Sequence, residues 1–304
     1  MKRIILSVAM PLAAALPVTG LACACGCGLF DVSTSALFPE HAGGMVYLER
    51  DFMDQNQNWS GTSSAPPQNN DDKRIDTTFW SAGGQYTFNR DWTVQVQVPY
   101  WQRLFVTEED AGLAGYNHGA LGDIRLKAVY TGFSPNLSTG LTFGVKLPTG
   151  QSDYANFDAD TQIGSGSTDL LLGGFHRGRF GLTSPWTWFA SVAWQQPVEH
   201  KDDYRPGGEV DGALGLSYEG WRFSNGWRLA PLLQLDAAYR AHDGGAAGDP
   251  ANTGYTRALL TPGLELDAGR VRLYADFSSA VYTNVSGNQL VARTTYKVVV
   301  SVSL

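Results

Sequence analysis

A twelve-stranded antiparallel transmembrane β-barrel is the fold class this sequence predicts. Three observations predict it. Past residue 44 the chain runs in segments of period-2 alternation between apolar and polar residues. The connections between those segments alternate in length, short then long. The composition is aromatic-rich, glycine-rich and charge-poor, and no run of about 18 apolar residues occurs beyond the N-terminus. Such a composition suits a wall with one lipid face and one wet face.

Charged residues make up 17% of the 304-residue chain, against about a quarter in soluble domains. Aromatics reach 12%, and the 35 glycines are about 12% of the chain against a usual ~7%. A large secreted β-sandwich fits that composition too. The net charge of -7 offers no electrostatic footprint for nucleic acid, which sets that class of partner aside.

The N-terminus reads as an export signal over residues 1–24. Lys2 and Arg3 begin it, an apolar stretch runs from Ile4 to Leu21, and Ala22-Cys23-Ala24 supplies small residues for cleavage after Ala22 or Ala24. Residues 25–43 follow as a short periplasmic segment or plug, in which Phe30, Leu37 and Phe38 give apolar surface to dock. The barrel itself is expected over residues 44–304.

Twelve strands are expected near residues 44–57, 74–88, 92–106, 119–133, 138–149, 167–179, 186–199, 208–223, 226–240, 255–267, 270–282 and 288–304. In the third, Trp92, Val94, Val96, Val98 and Tyr100 share one face and Thr93, Gln95, Gln97 and Pro99 the other. In the fourth, Ile124, Leu126, Ala128 and Tyr130 oppose Asp123, Arg125 and Lys127. In the ninth, Trp227, Leu229, Leu233, Leu235 and Tyr239 oppose Arg228, Gln234, Asp236 and Arg240.

Short turns are expected at 89–91, 134–137, 181–185, 224–225 and 268–269. Longer polar loops are expected at 58–73, 107–118, 150–166, 200–207, 241–254 and 283–287. A soluble sandwich has no reason to sort its loops by parity, whereas outer-membrane barrels keep short periplasmic turns and long external loops. Aromatics near strand ends, among them Trp92, Tyr100, Tyr130, Trp186, Trp188, Trp227 and Tyr239, suit the two interfacial girdles. The last strand alternates Tyr296, Val298, Val300, Val302 and Leu304 to the final residue, similar to the C-terminal signal read by the barrel assembly machinery, though Leu304 stands where Phe or Trp is usual.

If the apolar face meets lipid, the opposite face is the lumen. An Arg or Lys at the bilayer midplane costs about 2–4 kcal/mol, while a lumen charge can be paired or hydrated. The expected lumen-lining residues are Glu49 and Asp51; Asp123, Arg125 and Lys127; Lys146; Asp169 and Arg177; Asp211 and Glu219; Arg228, Asp236 and Arg240; Arg257 and Glu265; Arg272 and Asp276; and Arg293 and Lys297. Mixed signs either brace the wall as ion pairs or line a path for polar solutes. The external loops lean acidic, with Asp71, Asp72, Glu108, Glu109, Asp110, Asp153, Asp158 and Asp160 among their residues. Lipid and lipopolysaccharide are the expected surroundings.

All three cysteines fall at Cys23, Cys25 and Cys27. Spacing of i, i+2, i+4 on an extended chain puts the sulfurs on one side, a set suited to Cu(I) or Zn²⁺. A disulfide with one thiol left over, or the end of the signal peptide, accounts for them equally. No catalytic constellation is found, and no enzyme is expected. Arg222-Phe-Ser224-Asn225-Gly226 has a Ser-Asn-Gly but Arg where an outer-membrane phospholipase has His, and it reads as a hairpin turn. His118, His200 and His242 each fall in a different expected loop.

The middle of the chain has a recognisable grammar. Gly122-Asp123-Ile-Arg-Leu-Lys-Ala-Val-Tyr130 is followed by Phe143-Gly-Val-Lys-Leu-Pro-Thr-Gly150, then Ile163-Gly-Ser-Gly166 and Thr168-Asp169-Leu-Leu-Leu-Gly-Gly174. This resembles the barrel family named after the MetA pathway of phenol degradation, a group of outer-membrane transporters. The resemblance implies a channel or transporter for small organic or aromatic solutes, and it carries over no substrate-binding residue. The alternatives are a metal-binding or redox-linked barrel acting through the cysteines, and a structural barrel with a blocked lumen.

Overall fold

The computed structural model describes residues 37–39, 41–88, 91–201 and 203–304. The expected signal peptide and all three cysteines lie outside the described residues.

The strands are β1 (Gly43–Gln55), β2 (Gln57–Gly61), β3 (Ser63–Ser64), β4 (Asp72–Thr87), β5 (Trp92–Glu109), β6 (Gly112–Leu121), β7 (Arg125–Tyr130) and β8 (Thr139–Lys146). They continue with β9 (Ser167–Arg179), β10 (Trp186–His200), β11 (Glu209–Tyr218), β12 (Trp221–Arg222), β13 (Arg228–Arg240), β14 (Tyr255–Ala268), β15 (Val271–Val291) and β16 (Thr294–Ser303). Twelve of them form a closed antiparallel ring in the order β1-β4-β5-β7-β8-β9-β10-β11-β13-β14-β15-β16. β16 returns to β1 in a register running from Met45↔Ser303 to Met53↔Thr295. Closure pairs both edges of the wall, which is what allows a sheet to stand in hydrocarbon.

Period-2 alternation decides which way each side chain points. On β5, Val94 and Val96 are exposed on the outer surface, while Thr93 between Trp92 and Val94 is buried. Outward aromatics gather at the end where the turns are short. There Trp92 meets Tyr130 at 4.9 Å, Tyr130 meets Phe133 at 5.0 Å and Trp186 meets Tyr218 at 5.1 Å. Toward the loop end Phe277 meets Tyr296 at 5.2 Å, and the Arg50 guanidinium lies over Trp80. Trp92 and Tyr100 are eight positions apart on β5, about 26 Å along a strand at ~3.3 Å per residue. Strand tilt projects that span to roughly 20 Å along the barrel axis, most of the ~25 Å apolar belt of a membrane barrel.

Two expected loops are largely strand and a third is about half strand. Residues 107–118 form the arms of a β5–β6 hairpin paired from Tyr100↔Leu121 to Glu109↔Gly112. The ring strand expected at 119–133 is therefore broken, with β6 pairing the outer part of β5 and β7 the inner part. The break at 122–124 exists because Asp123 turns inward to hold other chain segments. Within 58–73, β2 and β3 make a small hairpin that leans on β15. β15 pairs with β14 as far as Val285, and with β2 at Val285 and again from Asn288 to Val291. The reversal between them, at Ser286-Gly287, falls where a loop was expected, and Gly287 takes a φ of 62°.

One expected lumen residue is displaced by this geometry. Past the Ser286-Gly287 reversal the chain runs back toward β16 and bends at Arg293, beside Ala280, and Arg293 is exposed on that bend. Tight alternation on both sides of the bend hid it in the sequence.

Candidate functional site

The remaining expected lumen residues project inward. Burying so many charges is tolerable only if they are paired or hydrogen-bonded. Most of them fall into four groups, while Arg125, Lys127, Arg177 and Asp211 border the internal spaces described below. At the turn end, Arg228 reaches Glu219, Glu265 and Asp267 at 3.0, 3.2 and 3.2 Å, and Arg272 lies 3.6 Å from Glu265. At the β1–β16 seam, Lys297 lies 3.7 Å from both Glu49 and Asp51. Across β13–β15, Asp236 accepts from Thr261 at 2.6 Å and Asp276 accepts from the Tyr274 hydroxyl at 2.8 Å. Arg257 donates to the Ala292 carbonyl at 2.8 Å, and Arg240 to Asp243 at 2.8 Å.

The fourth group holds the centre of the motif-bearing region together. Lys146, 4% exposed, lies 2.8 Å from Asp169 and 3.4 Å from Asp123. Asp123 accepts from the Gly150 amide at 3.0 Å and from the Ser165 amide at 2.9 Å. Asp169 accepts from Ser167 at 2.6 Å and from Gln195 at 2.5 Å. Both ends of the connection 147–166 are thereby tied to the wall. Its backbone is drawn in closely: a Cβ on Gly164 would sit 2.3 Å from the Gly150 carbonyl carbon, and one on Gly150 would sit 2.8 Å from that of Gly122. Gly122, Gly150 and Gly164 are glycines at points where the backbone of this connection stacks on the wall.

The connection folds into the mouth of the barrel. Phe157 and Ile163 are buried with Ile75, Phe105 and Leu290. Tyr154 stacks on His118 at 3.9 Å. Arg103, 1% exposed, donates to the Thr161 and Gln162 carbonyls and to Thr77 Oγ1. Arg103 escaped the sequence analysis, although the inward parity of β5 from Thr93 onward points to it. His118, His200 and His242 do not converge, and among the described residues no group of three or more His, Cys, Asp or Glu is arranged to hold a metal ion.

Space remains inside. An outer chamber of about 110 Å³ lies under the folded-in connection, bordered by Asp51, Trp101, Arg125, Lys146, Asp160 and Arg240 among others. An inner chamber of about 120 Å³ is bordered by Tyr47, Lys127, Leu171, Phe175 and Asp211 among others. Glu49, Gln97 and Gln195 line both, so they form a polar waist between the two. Arg125 donates to the waist through Gln195 at 3.3 Å. A vestibule of about 390 Å³ opens at the turn end beside Arg177, Trp188, Phe189 and Arg228. Each chamber is comparable to the ~150 Å³ apolar cavity that accepts benzene in an engineered core. In the loop lining the outer chamber, burial first and then the neighbouring Asp158 and Asp243 carboxylates push Asp160 up to about 7.

Residues 37–39 enter the lumen at its turn end. Leu37 packs on Leu232, Tyr274 and Val299. Phe38 stacks on Phe175 at 4.4 Å and meets Phe189 edge-on at 5.6 Å. Arg177 donates to the Pro39 carbonyl at 2.7 Å.

No protein-family model matches the chain, and no curated protein matches it. Solved structures do match. An outer membrane channel from Pseudomonas putida F1 superposes with a TM-score of 0.67 at 12% identity, covering 90% of this chain and 100% of that one. The β domain of the Bordetella autotransporter BrkA superposes with a TM-score of 0.52 at 13% identity, covering 87% and 100%. At such identities the likeness is one of fold: this chain has the barrel architecture of outer-membrane proteins.

Proposed function

We propose that the protein is an outer-membrane channel that passes small organic solutes, with the short turns on the periplasmic side and the long loops outside. The observation that carries this reading is the row of cavities along the axis. A barrel that served only as scaffold would fill its lumen with side chains, as eight-stranded barrels do. Here two chambers and a vestibule persist despite a folded-in connection and a docked N-terminal segment. Their linings pair apolar and aromatic walls with a few charged groups, the make-up of sites that take small organic molecules. The motif resemblance to phenol-degradation transporters supports the same class. The narrowness of the chambers favours solutes about the size of a single ring.

Single-channel conductance of the refolded protein without its export signal, in a planar bilayer, tests this. Steady conductance of the intact chain supports the reading. Conductance only after removal of residues 25–43 makes that segment a plug. Silence of both, from a barrel shown to be folded by heat-modifiable migration, refutes an open path and favours a structural role.

A further inference from the structure

We propose that the slot formed by Phe175 and Phe189 is a binding site for a planar aromatic solute bearing an oxygen acceptor, and that Phe38 fills it as a tethered competitor which closes the path until such a solute displaces it. The closing role rests on the channel reading above; the slot itself does not.

Position is the first argument. Phe38 lines the inner chamber and also the turn-end vestibule, and among the described residues no other borders both. Whatever passes from one to the other passes Phe38. The slot is shaped for a flat ring. Phe38 lies parallel to Phe175, with 6° between the planes, and at 76° to Phe189, so one wall offers a face and the other an edge, both preferred aromatic geometries. Phe175 and Phe189 are themselves pressed flat against the wall, because Gly140 and Gly215 beneath them carry no Cβ; one there would lie 2.4 and 2.0 Å from the rings.

The polar partner is the second argument. The Arg177 guanidinium donates to the Pro39 carbonyl, the residue next to the stacked ring. Ring and oxygen together describe the solute. A carboxylate takes a charge-assisted bond from guanidinium, stronger than the one a neutral carbonyl accepts. Such a solute therefore outbids Pro39 for Arg177 while replacing Phe38 on Phe175. Phe38 is only half-buried and faces the chamber, so an approaching ring has access to it.

A tethered competitor has a signature. Apparent affinity falls by the fraction of molecules in which the slot is free, so removing the competitor raises it without altering the slot. Benzoate is the probe, with acetate as the control that keeps the carboxylate and lacks the ring. Calorimetric titration would compare the folded wild-type barrel with Phe38→Ala and Phe38→Leu, and with Phe175→Leu made in the Phe38→Ala background. Both Phe38 variants are expected to bind benzoate at least tenfold more tightly than wild type. Phe175→Leu is expected to lose at least tenfold of that gain, and acetate to bind none of them. Equal benzoate affinity in wild type and both Phe38 variants overturns the proposal, as does binding indifferent to Phe175. Conductance separates the two readings. Benzoate should raise wild-type conductance, and Phe38→Ala should conduct without it. Tighter benzoate binding in barrels that never conduct leaves the slot standing and refutes the channel.

Discussion

At the scale of single residues the decisive fact is that a charge inside the barrel is held, not free to drift. Lys146 answers two carboxylates, Asp123 and Asp169, all three nearly excluded from solvent. Removing one partner of a buried network costs about 3–5 kcal/mol, because the charges left behind have nothing to neutralise them. Lys146→Met is accordingly expected to lower the free energy of unfolding, measured by urea titration, by an amount in that range, and to untie the connection 147–166. Asp160 gives a pH dependence with a definite sign. Its folded value of about 7 lies above the ordinary 3.8. The protonated form is thus favoured in the folded loop, and the stability it lends is complete below 3.8 and lost as pH rises through about 7. Amide exchange at Thr161 and Gly164, corrected for intrinsic rates, should show protection falling over that window. Asp160→Asn should flatten the profile; an unchanged profile in the variant would refute the assignment.

At the scale of elements, the inward fold of residues 147–166 matters most. It is fixed at both ends by Asp123 and along its length by Arg103, and its tightest point is the Gly150–Gly164 contact. Gly164→Ala places a methyl group against backbone that has no freedom to yield, so the connection should lift from the mouth. Higher conductance than wild type at equal folded fraction is the expected reading, and unchanged conductance would mean the outer mouth is not limiting. This element was half legible. The motif residues stood out in the sequence, and Pro148-Thr-Gly150 marked the end of a strand. That the loop turns into the lumen was not legible, because the partners that draw it in, Asp123 and Arg103, lie about 25 and 60 residues away and only the closed ring brings them together.

At the scale of the whole molecule, alternation sets an inside and an outside, and neighbouring residues test it. Val96 faces outward and Gln97 borders both chambers. Val96→Arg should cost about 2–4 kcal/mol in a lipid bilayer. Gln97→Arg, one residue along, should cost much less in stability and change ion selectivity instead. Equal costs would mean the two faces are misassigned. Widening the waist with Gln97→Ala and Gln195→Ala together should raise conductance, read on single channels; no change would place the narrowest point elsewhere, at Phe38.

The amino-acid sequence by itself determined the class of fold, the count of ring strands and the two faces of the wall. All three follow from a period of two and from loop parity, which are local properties of the chain. Local periodicity also proposes which charges face inward, and it has no hold at Arg293, where a bend interrupts the period. Only the tertiary structure decided which charges pair, where the lumen narrows and what stands in it. Glu49 meets Lys297 because the last strand closes on the first, and Phe38 meets Phe175 because the chain re-enters its own barrel. Contacts between residues more than a hundred positions apart have no signature in local periodicity; closure of the ring creates them.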